Sequence, residues 1–398
     1  MFDRIVLRRS ETGDIISLGE LAEALLFYQH VHLILDRGSL IGLIRSLGIK
    51  QLLGLLKTKK VSAVYCRETL GTKTETLGAL EYHKFAAFEL VGHKDSEKKY
   101  KPRDVIEEAI KHEAQCSSRE ASKLTDQFLG LVPIKSLAGT DFLGGKSTSL
   151  IEAATADVFN QDFMQKAASR MLANLPNLAK YASSISIETY QNPAGILLFS
   201  NLDLRSINAE RSSQSPPQDP ITIAHLLTNI LTARSDVLIA AHYGSDYKTS
   251  RVGSSLLELR HDELLRRSSI SECEKTHFQE IVVNEGRSLK EVIDRGERTF
   301  DEFLVLLEKS KTFKNWANGI HPDASMVKEY LKEASREGWV DSLPGKSLRF
   351  VIGEGLGTLT AGAGSAFGLA DSFLIEKISK GWRANHFVEK RLRPFVNH

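Results

Sequence analysis

Residues 31–65 read VHLILDRGSLIGLIRSLGIKQLLGLLKTKKVSAVY, and this stretch decides the fold class. Its first five residues form an apolar run that stops at Asp36, the length and composition of a buried strand. From Leu40 to Leu56 the period changes: Leu43, Leu47, Leu52 and Leu55 recur on one side of a helix, with Gly48 marking a break. Val61–Tyr65 is again a short apolar run. Strand, helix and strand in that order predict a βαβ unit, whose two strands pair in parallel because the connection is long enough to cross over.

Working outward, the same alternation continues. Arg4–Arg9 reads as a strand closed by the turn signal Thr12-Gly13, and Leu18–Tyr28 as a helix through Leu18, Leu21, Leu25 and Tyr28. Tyr82–Val91 reads as a fourth strand. Residues 1–100 are therefore expected to form an α/β domain with a small mixed sheet. A mixed helical region follows over 101–207. It contains helical periodicity at Arg103–His112 and Thr148–Leu175, then a β-hairpin in which Ile185–Tyr190 and Ile196–Phe199 flank Asn192-Pro193-Ala194-Gly195. Residues 208–220 are polar with three prolines and read as a linker or mobile loop. Beyond them, 221–398 reads as a helical domain, from the periodicity of Ile221–Thr232, Ser254–Arg267, Phe300–Lys311 and Ser325–Glu337. The expected class is α+β: an N-terminal α/β unit followed by a mostly helical C-terminal half.

Composition narrows the function classes. The 398 residues are 42% hydrophobic and 26% charged, ordinary for a globular chain, and the net charge of +2 argues against a chain-wide nucleic-acid binder. Three cysteines, Cys66, Cys116 and Cys273, are widely spaced and include no CxxC pair. That argues for a reducing compartment and against a disulfide framework. The N-terminus lacks the apolar core of a signal peptide, so the expected location is cytoplasmic.

One segment stands apart. Phe350–Ala370 reads FVIGEGLGTLTAGAGSAFGLA, with no charge between Gly355 and Ala370. Small residues recur every four positions at Gly353, Gly357, Ala361 and Ser365, and again at Gly364, Gly368 and Ser372. On a helix these would line one face and let another backbone approach closely. The uncharged part is shorter than the roughly 17 residues a membrane span requires. The tail that follows carries six basic residues against two acidic ones, and Lys377, Lys380, Trp382 and Arg383 mix positive charge with an aromatic ring. Basic and aromatic residues together suit an anionic membrane surface or nucleic-acid phosphates. The partners expected on this reading are a second copy of the chain, another protein, or an anionic membrane.

Candidate chemistry is sparse. Gly139–Ser147 reads GTDFLGGKS, in which Lys146 would serve a phosphate loop, but the first glycine stands one residue too early for that motif. Asp36, at the end of the VHLIL run, could bind a metal or activate water. It could equally cap the next helix. Glu188, on the hairpin's first strand, and Asp203, after its second, could share a metal. His242 lies next to Tyr243 and four residues before Asp246, a grouping suited to acid–base work. No zinc motif, HExxH pair or G-x-S-x-G elbow is present. Two readings follow. The first is an interaction or effector protein that uses the Gly/Ala-rich helix for self-association or conditional membrane contact. The second is a metal- or nucleotide-dependent hydrolase with its site at the N-terminal sheet or near the hairpin.

Overall fold

The computed structural model describes residues 4–9, 14–78, 80–89, 101–143, 148–156, 158–175, 177–247, 256, 279–283, 289–311, 348–352 and 395. The βαβ reading of the N-terminus is realised in order. Strand β1 (Arg4–Leu7) leads to α1 (Leu18–Phe27), β2 (His30–Leu35), α2 (Arg37–Leu47), α3 (Ile49–Lys57) and β3 (Val61–Cys66). Local signals set the boundaries. Ser17 and Glu20 form a reciprocal capping box at the start of α1, worth about 1 kcal/mol. Between α2 and α3 the axis turns by 104° at Gly48, whose φ of +80° is a conformation that glycine adopts without steric cost.

The chain then forms β4 (Glu68–Leu77), β5 (Leu80–Glu89), α4 (Pro102–Glu113), α5 (Ser118–Leu129) and β6 (Ile134–Lys135). The stretch expected as one long helix over Thr148–Leu175 is two, α6 (Leu150–Thr155) and α7 (Gln161–Asn174), because Asn160 caps the second with its side chain on the Phe163 N–H. The expected hairpin follows as β7 (Ile187–Asn192) and β8 (Gly195–Ser200). Helix α8 (Leu204–Ser212) enters the proline-containing segment. There Asn208 exchanges hydrogen bonds with the backbone of Ile221, and Arg211 Nε donates to the Asp219 carbonyl. The remaining elements are α9 (Ile223–Tyr243), β9 (Asp246–Tyr247), β10 (Gln279–Val283), α10 (Leu289–Asp294), α11 (Phe300–Lys309) and β11 (Leu348–Ile352).

The fold is α+β, with two sheets. One has seven strands in the order β10-β11-β9-β1-β2-β3-β6. Its five strands from β9 to β6 pair in parallel, while β10 and β11 are antiparallel additions. The C-terminal half thus contributes three strands to a sheet begun at residue 4, where a helical domain was expected over 221–398. Phe350, Val351 and Ile352, the start of the Gly/Ala-rich run, lie in β11. The second sheet is antiparallel, in the order β4-β5-β8-β7.

Alternate residues of each parallel strand point to opposite sides, so two cores form. On one side Ile5, Leu7, Val31, Leu33, Leu35, Val61, Ala63 and Tyr65 pack with α1 to α5, α10 and α11. On the other, Val6, Ile34, Val64 and Cys66 pack with α6, α7, α9 and the inner face of the second sheet. Each buried aliphatic side chain contributes about 1.5–3 kcal/mol. Helix α10 is held unusually close to α1: the Gly19 N–H donates to Asp294 at 2.7 Å, and a Cβ on Gly19 would lie 2.2 Å from the Lys290 carbonyl oxygen. Among the described residues no single helix is long and apolar enough to cross a membrane.

Candidate functional site

Chain order moves outward from β1 through β2 and β3 to β6, then returns to place β9 on the other flank of β1. The strand order therefore reverses between β1 and β9, and in open parallel sheets ligands gather outside the carboxyl ends of the strands at such a point. Here β1 ends in Arg8 and Arg9, β2 in Asp36 and Arg37, and β3 in Arg67 and Glu68, while β6 supplies Lys135. Arg8 Nε donates to Asp236 on α9, and both side chains are largely buried. The Arg8 Nη2 is also buried, with no acceptor among the described residues, and so is the Arg37 Nε. A buried guanidinium N–H left without an acceptor costs about 1–3 kcal/mol or more, since the group carries charge.

A second polar cluster lies on the same side of the sheet, beneath the last turn of α9. His32 on β2 and Ser62 on β3 are direct register partners. The Ser62 hydroxyl lies 2.7 Å from His32 Nδ1 and 2.8 Å from His30 Nε2, and His30 Nδ1 lies 2.8 Å from the Lys59 carbonyl oxygen. The ring of Tyr243 packs on His32 with centroids 3.8 Å apart, and His242 meets Tyr243 edge-on at 4.7 Å. Lys135 Nζ donates to His242 Nε2 at 3.2 Å and to the Asp141 carbonyl at 3.3 Å. It also sits 5.1 Å over the ring of Phe142 and 5.3 Å over that of Tyr243. An ammonium offers only donors, so His242 accepts through Nε2 and keeps its proton on Nδ1.

The electrostatics follow from burial. His32 is 8% exposed, and its imidazole is drawn down to about 3, first by burial and then by the nearby His30, Lys135 and His242. His242 is lowered for the same leading reason, with Lys135 adding to it and Asp141 opposing. Burial raises the Tyr243 phenol, and it pushes the Cys66 thiol up to about 12. Cys66 links the two clusters, since Arg8, Glu68, Lys135 and Asp141 all act on it. Glu68 in turn holds the β6 loop, accepting from Ser136 Oγ at 2.7 Å and from the Leu137 N–H at 3.2 Å.

The structure separates the residues singled out by sequence. His242 belongs to this cluster, though its hydrogen-bond partner is Lys135, far away in the chain. Asp36 caps α2: one carboxylate oxygen accepts the Ser39 N–H at 2.7 Å and the other accepts from Arg9. Asp203 likewise caps α8 through the Ser206 N–H at 3.1 Å. Glu188 is exposed on β7 and accepts from the Tyr190 hydroxyl at 2.7 Å. Among the described residues no group of three or more His, Cys, Asp or Glu side chains could hold a metal ion.

Lys146, Gly353, Gly357, Gly364, Gly368, Lys377, Lys380, Trp382 and Arg383 lie outside the described residues. Of the aromatic residues in the tail, Phe395 is described, and it is half-buried against the first core. Arg298 Nε donates to its carbonyl at 3.1 Å, and the Arg298 guanidinium lies 5.5 Å over its ring.

Sequence reasoning missed His30, His32, Ser62, Lys135 and Arg8. A signal existed for the first three. His30-Val31-His32 puts two imidazoles on one face of a strand, and Ser62 interrupts an otherwise apolar one. Comparison of the chain with protein-family models, with characterised proteins and with solved structures gave no match.

Proposed function

We propose that this protein binds an anionic small molecule, carrying a phosphate or carboxylate group, at the carboxyl edge of its parallel sheet between β1 and β9. The reading rests on one observation above all: the buried Arg8 guanidinium spends one N–H on Asp236 and leaves Nη2 without an acceptor at the point where the strand order reverses. A bound oxyanion would supply the missing acceptor through a charge-assisted hydrogen bond. Arg37, with its own unmatched Nε at the next strand end, offers a further donor on the same edge. The proposal is nearer the metal- or nucleotide-dependent hydrolase alternative than the interaction one, which depends on residues after 352.

The test is thermal unfolding in inorganic phosphate, ATP or citrate against sodium chloride of equal ionic strength. At a hundred times its dissociation constant, a ligand that binds only the folded state adds about 2.7 kcal/mol. The wild-type protein should show a saturable rise in melting temperature with at least one anion. Arg8→Gln combined with Asp236→Asn, which removes both members of the pair, should abolish that rise. Lys50→Ala should preserve it, because Lys50 belongs to a separate basic groove of about 610 Å³ between α3 and α5. A rise unchanged in the double variant, or equal for every salt, would overturn the reading.

A further inference from the structure

The tautomers of the His30–Ser62–His32 chain can be deduced from its acceptors. The Lys59 carbonyl only accepts, so His30 Nδ1 carries hydrogen. With His30 neutral, its Nε2 is then a bare lone pair, and the Ser62 hydroxyl must donate to it across 2.8 Å. Having spent its hydrogen there, Ser62 Oγ can only accept from His32, across 2.7 Å, so His32 Nδ1 carries hydrogen. His32 Nε2 is therefore unprotonated. It is also buried and has no partner among the described residues.

We propose that His30, Ser62 and His32 form a proton relay in which His32 Nε2 is the base and His30 the group that ends with the charge. When His32 Nε2 takes a proton from an acidic group, the Nδ1–H of His32 passes to Ser62 Oγ, and the original Ser62 hydrogen passes to His30 Nε2. The number of protons is conserved at each centre between. His32 ends neutral with hydrogen on Nε2, Ser62 ends as a hydroxyl now donating to His32 Nδ1, and His30 ends as an imidazolium still donating to Lys59. The reverse sequence returns a proton at His32 Nε2.

The surroundings favour this division of labour. Lys135, His242 and the Tyr243 ring all face His32, and burial beside a lysine opposes a cation there. His30 is half-buried, and its bond to Lys59 is solvent-exposed, so a charge at His30 is hydrated. A base that exports its charge along a hydroxyl works where a lone buried imidazole, drawn down to about 3, would not. The relay rests on the His30–Ser62–His32 distances with these surroundings and does not depend on the anion site.

Nitrogen-15 NMR of the histidine side chains in the full-length protein tests it. At high pH, His32 should show hydrogen on Nδ1 and a bare Nε2. As His30 is titrated to its cation, His32 should switch to hydrogen on Nε2 while remaining neutral, both changes sharing one midpoint. Ser62→Ala should uncouple the two rings, and Ser62→Thr, which keeps the hydroxyl, should restore the coupling. If His32 carries hydrogen on Nε2 while His30 is neutral, or keeps its tautomer through the His30 titration, the relay is wrong. Coupling that survives in Ser62→Ala would overturn it equally.

Discussion

The two faces of the parallel sheet are made from the same strands, yet they differ in kind. Odd-numbered positions, Ile5, Leu7, Val31, Leu33, Leu35, Val61, Ala63 and Tyr65, build a face of hydrocarbon and one phenol under α1 to α5. Even-numbered positions alternate Val6, Ile34 and Val64 with His32, Ser62 and Cys66, and Lys135 reaches in from β6. A parallel sheet covered on both sides is expected to be apolar throughout. Polar groups persist on one face because register places each within reach of another, as His32 and Ser62 show directly. The first face is a hydrocarbon support, and the second sets titratable groups among its apolar ones.

The sharpest way to break the comparison is to damage the apolar face. Leu33 is 0% exposed and contributes only packing, so Leu33→Ala should lower unfolding free energy by about 2–5 kcal/mol, read from urea midpoints. A loss below 1 kcal/mol would mean that this face is not the close-packed support described.

The polar face should respond more gently, and through pH. His32 takes a proton in the unfolded chain near 6.5 but not until about 3 when folded. Between those values the unfolded state binds the extra proton, so stability falls as pH falls, by about 1.4 kcal/mol per unit. His32→Leu should remove that dependence. From pH 7 to pH 5 the wild-type protein should lose about 2 kcal/mol more than the variant. His83 and His225 are lowered too, but they lie outside this cluster and cancel in the difference. Equal losses would place His32 in water.

What could be read from the sequence follows the same division. The βαβ order was legible because Leu43, Leu47 and Leu52 repeat at helical spacing between two apolar runs, a local signal that burial then uses directly. Strand β4 escaped notice: its ETLGTKTETL is largely polar, Leu70 is its one buried residue, and it is defined by pairing along all of β5. Strand β9 is two residues long and is fixed by β1 at the start of the chain, and the glycine-flanked β11 is fixed by β10 and β9. The polar cluster was hidden for a related reason. His32, Ser62, Lys135 and His242 come from four elements, and only the sheet register and the crossing of α9 bring them together. His242 was noticed for its neighbours in the chain, whereas the structure gives it Lys135. Asp36 was the most legible site residue, because an aspartate three residues before a free backbone N–H is a helix cap by local geometry alone.

The smallest effect sharpens the comparison most, because it asks whether the polar face is truly closed. Cys66 lies on that face, 1% exposed, in register with Lys135. Burial, together with Glu68 and Asp141, pushes its thiol up to about 12 against the pull of Arg8 and Lys135. At pH 8 a thiol with that value is about one part in ten thousand thiolate, and the thiolate is the species that reacts. Cys116, at the end of the α4–α5 turn, is half-buried and packs only at the margin of the first core. Iodoacetamide followed by peptide mass mapping should therefore modify Cys116 in the native protein and leave Cys66 unmodified until denaturant unfolds the chain, with no change in fold on labelling Cys116. Reaction of Cys66 at the rate of Cys116 would mean that α9 lifts from the sheet in solution. His32 would then be hydrated and able to carry its own charge, and the contrast between the two faces would lose its physical basis.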